Sequence, residues 1–248
     1  MREEEPETVA IVVTGSYATG RATARSDLDL NVLTEAPPRL GRYRTWFEPR
    51  RDGPPLHVSA GVQTLRRWIE RAGEPVEPDD WSLGFPTEEA ARFLWANDRA
   101  RAALGDPPTV RRPGADPEVE DLFEAATKVA RAAEQADWLG ARWHAADVGR
   151  RVPNLLRPLN PERRVRDRRD ALEAALTLRQ APPGYRDDLL TALGLQPSAD
   201  RSVAEAALRL ARGALALLRQ HAPEADPQPG ITEALRSGAL EGELRAES

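Results

Sequence analysis

The sequence contains no cysteine. That excludes a disulfide framework, a thiolate metal site and a thiol nucleophile. It also lacks any run of about 18 apolar residues, so no transmembrane helix is expected. The N-terminal stretch MREEEPET is acidic and has no apolar segment of the kind a secretory signal needs. Surplus positive charge is missing too. The net charge is −5, which argues against broad nucleic-acid binding through a basic surface. These absences point to a cytoplasmic protein with neither a membrane nor a nucleic-acid partner. Lysine is nearly absent: of 35 basic residues one is a lysine, Lys128, and the rest are arginine.

What is present supports a packed core. The chain has 248 residues, 40% of them apolar, enough for one large domain or two modest ones. Residues 9–14, VAIVVT, read as a short buried strand, and GSYATG after it as a turn. LDLNVL, 28–33, alternates with period two, Leu28, Leu30 and Val32 on one face and Asp29 and Asn31 on the other. Two more strands fit 43–48 and 56–62, separated by the turn-prone RRDGPP. A helix follows from Thr64. Ala91, Leu94 and Trp95 share one side of a helix expected over 87–104. GDPPTVRRPGADP, 105–117, reads as a linker, and after it the pattern is helical: 118–148, 162–180, 185–194 and 201–221. The tail from 222 is Pro-rich and then weakly helical. The expected fold is α+β, with a mixed sheet and flanking helices over 1–112 and a helical bundle over 117–248.

The chemistry concentrates in GSYATGRATARSDLDL, residues 15–30. Asp27 and Asp29 are two apart on a strand and so share a face, roughly 6–7 Å from each other. Two carboxylates at that distance repel by roughly 2–3 kcal/mol at an effective dielectric of about 20. A hard divalent cation such as Mg²⁺ between them removes the conflict. Gly15 lets the backbone approach a ligand closely, and Ser16 offers a hydroxyl and an N–H to phosphate oxygens. A phosphate cradle and a cation-binding pair on adjacent strands suit transfer at a nucleoside triphosphate.

This combination of an apolar strand, Gly-Ser, a spacer and Asp-x-Asp resembles the signature of the polymerase-β-type nucleotidyltransferase superfamily. The resemblance implies that Ser16 contacts the triphosphate and that Asp27 and Asp29 hold the metal. The superfamily commonly has a third carboxylate on a later strand. Here the equivalent stretch, LHVSAGV, offers His57 or Ser59, and Glu48 lies on the preceding strand. A base then has to come from elsewhere, or the fold is catalytically silent.

Lys128 marks a second constellation. In VEDLFEAATKVARAAE, 119–134, Glu124 and Lys128 stand at i, i+4 on one helix face, with Asp121 and Arg131 nearby. Such a pair is ordinarily a surface contact worth ~0.3–0.5 kcal/mol. A lysine surviving in an arginine-dominated chain also fits a site that needs a compact ammonium. LFEAATK resembles the corresponding helix of the kanamycin (aminoglycoside) nucleotidyltransferases, as do Trp81-Ser82-Leu83 and PPGY, 182–185. By that resemblance Glu124 is the general base on an acceptor hydroxyl and Lys128 contacts the nucleotide. It also implies ATP as co-substrate, Mg²⁺, a small-molecule acceptor such as an aminoglycoside, and a homodimer. Transfer to a protein, or a silent nucleotide-binding module, are the alternatives. Those enzymes carry a helix before the first strand, where this sequence has about eight residues. Either the start lies upstream or another element, such as the tail, covers that sheet face. Trp138, Trp143 and His144 are expected in core or helix contacts, one of Trp46 and Phe47 in the core, and PERRVRDRRD, 161–170, on a solvated helix face.

Overall fold

The computed structural model describes residues 5, 7–39, 43–77, 81–161 and 163–222. The fold is α+β, and the chain divides into two compact units. The first comprises Met1–Glu74 and Thr87–Pro113; the second comprises Pro75–Pro86 and Gly114–Ser248.

The first unit is built on β1 (Thr8–Thr14), β2 (Leu28–Thr34), β3 (Tyr43–Glu48), β4 (Leu56–Thr64) and β6 (Arg92–Ala96), ordered β3-β4-β2-β1-β6. β2 and β4 run parallel, and the other neighbours are antiparallel. The strands at the centre are rich in Val, Leu and Ile, whose branched side chains suit a pleated, buried surface. Ala10, Val12 and Leu33 are fully buried and pack with Leu65 of α2 (Leu65–Ala72) and Ala100 of α3 (Asp98–Leu104). Each helix starts at a side-chain cap, Thr64 Oγ1 accepting from Arg67 N–H at 3.1 Å and Asn97 from Ala100 N–H at 2.9 Å.

Four local expectations need correction in this unit. GSYATG is not an open turn: α1 (Gly15–Thr19) is a five-residue helix, closed by Gly20 in the left-handed region at φ 72°. Residues 87–104 are not one helix. β5 (Thr87–Ala90), β6 and α3 share them. The stretch read as a linker contains β7 (Thr109–Arg112), which pairs antiparallel with β5, Glu88 opposite Arg111. Neither Trp46 nor Phe47 is buried; Phe47 is 69% exposed.

The second unit is helical: α4 (Val119–Glu134), α5 (Trp138–Leu156), a single 3-10 turn (Arg157–Leu159), α6 (Arg168–Leu176), α7 (Tyr185–Ala192) and α8 (Asp200–His221). α4, α5 and α8 pack on one another through Leu122, Ala126, Val129, Ala141, Ala145, Val148, Ala207 and Ala211, all buried. Small side chains let the helix backbones approach closely. The single helix expected over 118–148 is two. Ala136 takes a positive φ of 52°, and Asp137 then caps α5 by accepting from Gly140 N–H at 3.0 Å. Trp138 and His144 therefore belong to α5, and Trp143 is 70% exposed rather than packed. Part of the PERRVRDRRD stretch is buried, not solvated: Val165 is fully enclosed and donates its N–H to Pro86 O at 3.0 Å. Phe85, from the Pro75–Pro86 segment, is fully buried in this unit's core. Nearly all of the tail expected from 222 lies outside the described residues.

Candidate active site

Asp29 is held from two sides. On one, Thr14 at the end of β1 stands directly across from it, and Gly15 follows with a φ of 66°. A Cβ at Gly15 would come within 2.9 Å of Asp29 Oδ2, inside van der Waals contact. Glycine is thus required both by the backbone and by the carboxylate. On the other side, Ser59 of β4 is the in-register partner of Asp29, and its hydroxyl donates to Asp29 Oδ1 at 2.6 Å. Asp27 differs. It lies one residue before β2 begins and is exposed, with no hydrogen-bond or ion-pair partner among the described residues. Leu28 and Leu30 are half-buried.

The Gly-Ser segment is anchored by contacts that leave its hydroxyl available. Ser16 O accepts from Thr19 Oγ1 at 3.1 Å, and Ser16 Oγ has no partner among the described residues. Arg50, just beyond β3, donates from Nη2 to the Tyr17 hydroxyl and from Nη1 to Ala24 O at 3.2 Å. It ties α1 to the loop that leads to Asp27. No motif in the sequence marks Arg50; its role depends on a turn that brings residue 50 back to residues 17 and 24.

The Asp29 carboxylate, whose Oδ2 is the atom a Cβ at Gly15 would meet, is a hard oxygen donor of the kind a divalent cation takes, and Asp27, exposed two residues earlier, offers a second. Among the described residues, no cluster of three or more His, Asp or Glu side chains is placed to hold a metal ion. His57 Nε2 is 2.6 Å from Thr45 Oγ1 on β3, and its ring lies 5.1 Å from that of Phe47. Glu48 accepts from Trp46 Nε1 at 3.3 Å. On the same sheet face as Asp29, one step along the strands, lies a cavity of about 530 Å³ lined by Asn31, Gly61, Gln63, Tyr43, Arg67 and Arg71.

The second constellation lies in the helical unit. Lys128 Nζ stands 2.6 Å from Glu124 Oε1. The pair lines a cleft of about 150 Å³ with Asp121 from α4 and His144, Asp147 and Arg151 from α5. The Lys128 hydrogen bond, then its charge, holds the Glu124 carboxyl below the usual carboxylate range. Arg151 bridges Glu118 at 2.7 Å and Asp121 at 2.9 Å. Burial, followed by the charge of Asp121, pushes the Glu118 carboxyl up. His144 Nδ1 lies 3.7 Å from Asp147 Oδ2, and Arg150 pairs with the same Asp147. Sequence spacing marked Glu124, Lys128 and Asp121. The α5 side of the cleft comes from the helical hairpin at Ala136, which spacing did not reveal.

The two constellations fall in segments that match two related families. Residues 1–81 match the family described as nucleotidyltransferase domain. Residues 118–220 match the family described as nucleotidyltransferase, substrate binding domain. The chain is a nucleotidyltransferase, the match to the nucleotidyltransferase domain preceding the match to the substrate-binding domain. Enzymes of this class typically use a nucleoside triphosphate and a divalent metal. Among solved structures, a nucleotidyltransferase-like protein from Exiguobacterium sibiricum 255-15 is similar at 13% identity and a TM-score of 0.42, over 94% of this chain and 75% of that one. No curated protein matches the sequence significantly.

Proposed function

We propose that the enzyme moves AMP from ATP to a hydroxyl of a small molecule and releases pyrophosphate. The observation that carries this reading is the approach of Gly15 to Asp29 Oδ2, which puts the Gly-Ser segment against a fixed carboxylate. Asp27 and Asp29 would hold Mg²⁺, which when bound would offset phosphate charge during the transfer, and Gly15 and Ser16 would cradle the triphosphate. Glu124 accepts the proton of the acceptor hydroxyl as its oxygen bonds to the α-phosphorus and the bond to the β-phosphate oxygen breaks. Lys128 contacts phosphate. The carboxylates of Asp121, Glu124 and Asp147 line one cleft, each paired with a lysine or arginine, and a cationic acceptor such as an aminoglycoside would exchange for those partners. The likeness of LFEAATK to the kanamycin nucleotidyltransferases supports the same acceptor and a homodimer.

The test is pyrophosphate release from ATP and Mg²⁺ with a panel of aminoglycosides, neutral polyols and hydroxyl-bearing proteins. Turnover with an aminoglycoside, lost in both Asp29→Ala and Glu124→Ala, is the expected result. Turnover with a protein acceptor alone would overturn the acceptor class. Turnover that survives both substitutions would overturn the site.

A further inference from the structure

We propose that Ser59 is a positioning residue of the cation site: it occupies the place of a third carboxylate and aims Asp29 at the ion. The inference rests on the reading of Asp27 and Asp29 as cation ligands.

The sheet register sets the geometry. Thr14, Asp29, Ser59 and Thr45 lie side by side on β1, β2, β4 and β3, so four neighbouring strands each give one polar residue to a single row. Within this row the contacts are divided. Thr45 Oγ1 engages His57 Nε2 at 2.6 Å, drawing the imidazole toward the β3 edge. Thr14 Oγ1 accepts from Asn31 Nδ2 at 3.3 Å. Ser59 is left to Asp29 and donates its hydroxyl proton to Oδ1 at 2.6 Å, in a site where Ser59 itself is 8% exposed.

A serine hydroxyl has one proton to donate, and here it goes to Oδ1. That orients the carboxylate and leaves Oδ2 facing Gly15, where a Cβ would stand 2.9 Å away and its absence keeps the oxygen open to an ion. A carboxylate at position 59 would instead face Asp29 as a like charge and would need the ion to hold both. Serine substitutes a hydrogen bond that exists before the ion arrives. Partners that orient a ligand in this way typically change metal affinity 10–100-fold when removed.

The test is titration of the full chain with Mn²⁺, without nucleotide, followed by electron paramagnetic resonance of the free ion. Ser59→Ala should weaken Mn²⁺ binding about tenfold or more, while Ser59→Thr, which keeps the hydroxyl on a strand-compatible side chain, should bind as the native protein does. Thermal melts of the metal-free variants check that each is folded. Native Mn²⁺ affinity in Ser59→Ala, with binding lost in Asp29→Asn, would overturn the role of Ser59 and leave the cation site standing. Native affinity in Asp29→Asn and Asp27→Asn as well would overturn the cation site and the role of Ser59 with it.

Discussion

The sheet site and the helical cleft carry the same kinds of side chain under different constraints. Asp29 is gripped by an in-register serine and a glycine with left-handed backbone, both set by strand pairing. Glu124 is 61% exposed in its side chain and is held by one flexible lysine on its own helix. Strand register fixes the position of a group before any ligand arrives; an i, i+4 ion pair can be exchanged at little cost. A cation ligand gains from the first kind of support. If Glu124 is the base, as proposed, it gains from the second, since the Lys128 ammonium favours its charged form and an exposed pair exchanges partners at little cost.

Breaking the rigid side should have the largest effect. Asp29→Asn should lower kcat/KM by about 10³-fold, several kcal/mol of charge stabilisation, in a pyrophosphate-release assay. Gly15→Ala tests the grip itself. Its Cβ meets Oδ2 and its backbone is strained by about 1–2 kcal/mol, so both activity and the denaturant midpoint should fall. On the adjustable side, Glu124→Gln should lower kcat by about 10²-fold, the lower end of what a general base contributes, because the carboxylate is a weak base when lysine-bound. Nucleotide binding, read by calorimetry, should survive that change. The smallest effect sharpens the contrast. The Lys128 ammonium favours the charged carboxylate, so the acid limb of the kcat/KM profile should lie below the usual carboxylate range. Lys128→Met should move that limb to higher pH, and an unmoved limb would mean that Glu124 is not the titrating base.

How much of this was legible depends on where the information lies. β1 to β4 and α2 are written in local patterns: branched apolar runs, strict alternation, and a threonine before a helical repeat. The Gly-Ser and Asp-x-Asp elements carry their chemistry in sequence, and LFEAATK carries the second pair. The misread helix over 87–104 shows the limit. Ala91, Leu94 and Trp95 satisfy helical spacing, but Glu88 is paired with Arg111, more than twenty residues on, and no local period encodes that partner. The break at Ala136 was hidden for a related reason. Apolar spacing continues across it, and only the capping carboxylate of Asp137 marks the new helix. The departure from the family pattern was visible as His57 or Ser59; that Ser59 is the one bonded to Asp29 Oδ1 needed the parallel register of β2 and β4.

The solitary lysine has a consequence outside catalysis. An endopeptidase selective for lysine has one peptide bond to cut in the whole chain, Lys128–Val129, and it lies inside α4 with Val129 fully buried. Cleavage at that bond requires the helix to open, so the rate of this single cut reads directly how often α4 unfolds. The chain carries its own proteolytic clock for the helical unit, placed by composition at a residue that lines the cleft.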